Sequence, residues 1–70
     1  MYLLTQNEMA IFDFDKYGFI SCNEDCEVYI GGATDKGFLI GKYGTVERAK
    51  EVVADIYINL GMGRYEMPVV

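Results

Sequence analysis

Apolar positions recur at steps of three and four in only one stretch of this chain. It is TVERAKEVVADIYINL, from Thr45 to Leu60, where Ala49, Val52, Val53, Ile56, Tyr57 and Leu60 stack on one side. Lys50, Glu51, Asp55 and Asn59 fall on the other. The spacing predicts one amphipathic helix. Thr45 suits its N-cap, because a hydroxyl there accepts from an orphan N–H of the first turn. Glu47 sets negative charge at the positive end of the dipole. The capping box is incomplete, since Arg48 stands where Glu or Gln would reach back. Gly61 is the expected left-handed residue that closes the helix.

Elsewhere the pattern is one of short aromatic and β-branched runs between turn formers. Tyr2–Thr5 precedes the polar turn Gln6-Asn7-Glu8, and Met9–Phe14 and Tyr17–Cys22 flank Asp15-Lys16 as a turn. Glu27–Ile30 follows Asn23-Glu24-Asp25; a glycine-rich loop over Gly31–Gly37 leads to Phe38–Tyr43. Arg64–Met67 reads as a short edge strand that Pro68 ends. This predicts an α+β fold: an antiparallel sheet of four to five strands, with the one long helix packed on one face. Residues 1–70 form one domain, without repeat or linker.

Composition narrows the function. Half of the residues are apolar, which argues for a packed core over disorder. No run approaches the ~20 residues of a membrane helix. MYLLTQNE lacks the basic flank and long apolar core of a secretory signal, so the expected location is the cytosol. The net charge of −5 is unevenly placed. Residues 1–35 carry seven acids against Lys16 alone, a net −6, and the second half carries +1. Such a first half repels a phosphate backbone and argues against direct nucleic-acid binding. It suits a basic protein groove, with Asp13, Asp15, Glu24 and Asp25 as its binding carboxylates. With no histidine and no nucleophile–base pair in the sequence, no catalytic residue and no cofactor is expected.

Three patterns carry candidate chemistry. Asp13–Glu24, DFDKYGFISCNE, scans as a twelve-residue calcium loop with Asp13, Asp15, Ser21 and Glu24 as ligands and Gly18 at the sharp turn. Tyr17 offers no carboxylate or amide oxygen at the fifth position and the flanks do not read as helices. A strand pair with acids towards solvent is the expected structure, and calcium binding the alternative. Cys22 and Cys26 stand across a turn; with no histidine and no further cysteine they are expected as two reduced, partly buried thiols. The N-terminus of the helix, with Lys42, Arg48 and Arg64, is a candidate anion site. The small core and the supply of six Tyr and four Phe favour self-association, with Tyr29, Tyr43 and Tyr65 on an open sheet face.

LLTQN near the start, IFDFD after it, and IGKYGTVERAKEVVADI followed by RYEMP resemble a family of small proteins encoded by phages and prophages of Gram-positive bacteria. The resemblance runs through Gln6, Asn7, Asp13, Tyr43, Thr45, Glu47, Arg48, Ala49, Tyr65, Met67 and Pro68. It departs at the end, where Val69-Val70 replaces an acidic terminus. It implies an accessory viral gene without catalytic residues. Small phage proteins of this kind often inhibit bacterial defence: some block CRISPR effectors, and others, such as anti-Thoeris proteins, sequester cyclic nucleotide signals. By that analogy the partner is a host defence protein or a signalling nucleotide. A structural or assembly accessory of the phage is a further alternative.

Overall fold

A computed structural model of the chain describes residues 1–31 and 37–70. The short apolar runs become strands β1 (Tyr2–Leu4), β2 (Ile11–Asp13), β3 (Phe19–Cys22), β4 (Glu27–Gly31), β5 (Phe38–Lys42) and β6 (Arg64–Glu66). A single turn of helix, α1 (Phe14–Tyr17), stands between β2 and β3, and the long helix α2 covers Val46–Ile58. The glycine-rich loop expected over Gly31–Gly37 lies, at residues 32–36, outside the described residues. Among the described residues no helix is long and apolar enough to cross a membrane.

The α+β class holds, but the sheet is not one antiparallel layer of four to five strands. Among the described residues two three-stranded sheets form, in the orders β2-β1-β6 and β3-β4-β5. The second is antiparallel throughout, whereas in the first β1 pairs antiparallel with β2 and parallel with β6. The division arises at Asp13–Gly18. The Asp13 carboxylate accepts the Asp15 N–H at 3.1 Å, an N-cap that starts α1 in place of a hairpin turn. Gly18, at φ +85°, closes the turn by donating its N–H to the Phe14 carbonyl at 3.2 Å. The expected pairing of Met9–Phe14 with Tyr17–Cys22 therefore does not form. The first segment stays with β1 and the second joins β4.

One core lies between the sheets and α2. Leu3 comes from β1, Val28 and Ile30 from β4, Ile40 from β5, Tyr65 from β6, and Ala49, Val52 and Ile56 from α2. A bulge at Val28/Tyr29 shifts the register against β5, so that Val28 pairs with Gly41 and Tyr29 with Leu39. The extra residue is Ile40, which is buried while its neighbour Leu39 stays half exposed.

The start of α2 is as the sequence predicts, with the Thr45 hydroxyl accepting the Arg48 N–H at 3.0 Å. Its end differs. Asn59 is the C-cap, and its side-chain Nδ2 donates to the Asp55 carbonyl at 2.7 Å. A last-turn carbonyl is thus satisfied without a left-handed glycine, and Gly61 lies beyond with no positive φ. The buried face is also narrower than predicted. Ala49, Val52 and Ile56 are covered, while Tyr57 and Leu60 are 75% and 42% exposed. These two and the half-buried Val53 sit one step round the helix, lining a shallow apolar groove with Phe14 and Ile20.

Candidate functional site

The four carboxylates proposed to bind a partner fall into two groups. Asp13 and Asp15 sit at the cap of α1, where Asp15 lies 3.5 Å from the Met1 amino group. Glu24 and Asp25 occupy the turn between β3 and β4. Asn23 builds that turn: its Oδ1 accepts the N–H groups of Asp25 (3.0 Å) and Glu27 (3.2 Å), and its Nδ2 donates to Glu27 Oε1 at 3.1 Å. Sequence reading placed Asn23 in the polar stretch before β4 but did not single it out, although an Asn ahead of an acidic pair is the residue type that closes such a turn. The two acidic groups flank β3 along the chain, Asp13 and Asp15 before it and Glu24 and Asp25 after it. Between them the outward side chains are Phe19, 41% exposed, and Ser21, and β3 is an edge strand.

The residues of the calcium-loop alternative are not gathered round one point. Pairing with β4 extends Phe19–Cys22 and turns Ile20 and Cys22 towards the core. Asp13 is engaged as a cap before the strand, and Glu24 belongs to the turn after it. Among the described residues no three His, Cys, Asp or Glu side chains are grouped to hold a metal ion. The strand pair expected over the same residues is absent as well, for the reason given above. Cys22 and Cys26 are free, half-buried thiols.

The three cations do not converge. Arg48 is spent on the C-terminal tail: Nε and Nη2 donate to the Val70 carbonyl at 3.2 and 2.9 Å, and Nη1 reaches Glu51 Oε1 at 3.4 Å. Its guanidinium also lies 5.8 Å from the centre of the Tyr43 ring. Lys42 ends β5 opposite Glu27, and Arg64 opens β6 on the other sheet, opposite Tyr2. No anion cradle forms from them within one chain.

The tyrosines expected on an open face are divided too. Tyr29 is half-buried, and its hydroxyl donates to Glu27 Oε1 at 3.3 Å. Tyr43 and Tyr65 are buried. The Tyr43 hydroxyl donates to the Pro68 carbonyl at 2.8 Å, and burial holds its pKa above the ordinary value against the opposing pull of Arg48. The Tyr65 hydroxyl donates to Asp55 Oδ2 at 2.6 Å. Burial and then that carboxylate push its pKa up strongly.

Five of the eleven residues that carry the resemblance, Gln6, Tyr43, Arg48, Met67 and Pro68, meet in one place. The Gln6 N–H donates to the Ile40 carbonyl at 2.9 Å, and its Nε2 to the Val69 carbonyl at 2.8 Å. Tyr43 and Arg48 hold Pro68 and Val70 as described, and the Met67 N–H donates to the Leu4 carbonyl at 3.1 Å. The Met67 side chain is buried against Gly41, where an added Cβ would stand 3.1 Å from its terminal methyl. These residues build a clasp that ties the tail and the first turn to the open edge of β5. These bonds close the fold at its tail. No family model, curated protein or solved structure matches the chain.

Proposed function

We propose that the chain is a phage- or prophage-encoded protein that acts in the cytosol of the bacterial host. It inhibits a host defence protein by occupying its surface, without chemistry of its own. The observation that supports this reading is the surface along β3. An edge strand presents Phe19 and Ser21, with Asp13 and Asp15 before it along the chain and Glu24 and Asp25 after it. An exposed aromatic side chain flanked by like charges suits a protein groove of basic character, with the charges steering the encounter. Sequestration of a nucleotide signal is the weaker reading, because Lys42, Arg48 and Arg64 are dispersed and Arg48 is occupied.

The test is phage plating on host strains that each carry one defence system, with and without this protein. The expected result is restored plating on one of them. Replacing Asp13, Asp15, Glu24 and Asp25 by their amides should abolish the rescue while circular dichroism shows the fold retained. Binding of the purified pair should weaken as salt rises. Absence of rescue on every defended strain, or rescue indifferent to the four amides, would overturn the proposal.

A further inference from the structure

Strand β6 is the outer strand of the first sheet, and its open edge has an order of its own. The Tyr2 N–H donates to the Gly63 carbonyl at 2.9 Å, and the Met67 N–H to the Leu4 carbonyl at 3.1 Å. In a parallel ladder alternate residues bond the same neighbour, so Gly63, Tyr65 and Met67 serve β1. The N–H and C=O groups of Arg64 and Glu66 therefore point away from it. Pro68, with no N–H, ends the edge. Arg64 and Glu66 are exposed on the same face of the sheet, and neither makes an ion pair among the described residues.

We propose that β6 pairs antiparallel with β6 of a second copy, centred on Tyr65, and joins the two first sheets into one six-stranded sheet. In that register Arg64 lies opposite the partner's Glu66, and Glu66 opposite the partner's Arg64. The four outward backbone groups of each strand then find partners in two hydrogen-bonded pairs, and both pairs bring opposite charges together on one face. A slip of two residues in one direction sets Arg64 against Arg64. In the other direction it sets Glu66 against Glu66. A slip of one residue matches outward groups with inward ones. The charges thus select a single register. Edge strands that avoid association carry charges of one sign, which repel a second copy; Arg64 and Glu66 alternate in sign and attract one. The pairing is independent of the identity of the defence target, and a negative plating result leaves it standing.

Sedimentation equilibrium of the purified protein over a range of concentrations tests the pairing. A monomer–dimer equilibrium is expected, of modest affinity given the short edge. Either reversal alone, Arg64→Glu or Glu66→Arg, places like charges opposite each other. Each should weaken dimerisation at least about tenfold. The double variant Arg64→Glu with Glu66→Arg restores both pairs and should return to within about threefold of the parent. Ile11→Ser, on the exposed face of the same sheet, removes apolar surface without adding a charge beside Glu66 and should leave the equilibrium unchanged. A monomer at every concentration, a dimer indifferent to single reversal, a double variant that fails to recover, or a dimer dissolved by Ile11→Ser would each overturn the proposal.

Discussion

The Gln6 side-chain oxygen accepts the Lys42 backbone N–H at 2.6 Å, across 36 positions of sequence. Together with the Gln6 N–H on the Ile40 carbonyl, it supplies β5 with the bonds that a further strand would give. A single residue so closes an edge of the second sheet and, through Nε2 on Val69, pins the tail. Gln6→Ala removes both side-chain bonds, each worth about 1 kcal/mol net at a partly exposed site. Urea unfolding should show a loss of about 1–2 kcal/mol. Gln6→Glu keeps the acceptor for Lys42 and lacks the donor for Val69, so it should fall between the two.

Burial along α2 predicts a sharp contrast between adjacent positions. Ile56 is 2% exposed and Tyr57 75% exposed. Ile56→Ala opens a cavity beside Val52 and Ala49 and should cost about 2–5 kcal/mol. Tyr57→Ala removes a side chain already in water and should stay within about 0.5 kcal/mol. Comparable losses at both sites would mean that α2 is rotated from the orientation described.

The same pair shows what the sequence could disclose. Spacing placed Ala49, Val52, Ile56 and Tyr57 on one side of a helix, and the cap at Thr45 followed from residue type. Periodicity alone does not set the width of the face, which depends on how far β3 and β4 extend beneath the helix. The strands were legible from aromatic and β-branched runs, their partners were not. Whether Asp13 turns a hairpin or caps a helical turn depends on a hydrogen bond between near neighbours, and that choice decided between one sheet and two. The parallel pairing of β1 with β6 joins the two ends of the chain, and no local pattern encodes it. Among the site residues, the acids were identifiable by charge. The engagement of Arg48 by Val70 was not, since it depends on where the tail folds back.

Calcium should have no effect on this protein. Asp13 is committed to the Asp15 N–H and Glu24 lies in the turn beyond β3, so the loop's carboxylates are not gathered round one point. The expected outcome is an unchanged thermal midpoint on addition of millimolar calcium, for the parent and for Glu24→Gln alike. A midpoint that rises with calcium and ceases to do so in Glu24→Gln would show that the loop closes on the ion after all.

Alkaline pH should destabilise the fold through Tyr65. Its hydroxyl is buried and donates to Asp55 at 2.6 Å, so the native state holds the phenolic proton to a pH well above the ordinary value of about 10. The unfolded chain releases that proton near pH 10, while the native chain still retains it. Above that pH the native state binds more protons than the unfolded state, and stability falls as pH rises. Below it the contribution is fully present and flat. Tyr43, raised by burial, and Tyr29, raised by desolvation and Glu27, act in the same direction. Tyr65→Phe should therefore do two things in urea titrations run from pH 8 to 11. It should lower stability at pH 8 by about 1 kcal/mol, the usual net worth of one hydrogen bond. It should also make the decline above pH 10 shallower without abolishing it, because Tyr43 and Tyr29 remain. Curves for parent and variant that run parallel through pH 11 would show that Tyr65 titrates alike in the folded and unfolded chain, and that the bond to Asp55 does not hold its proton.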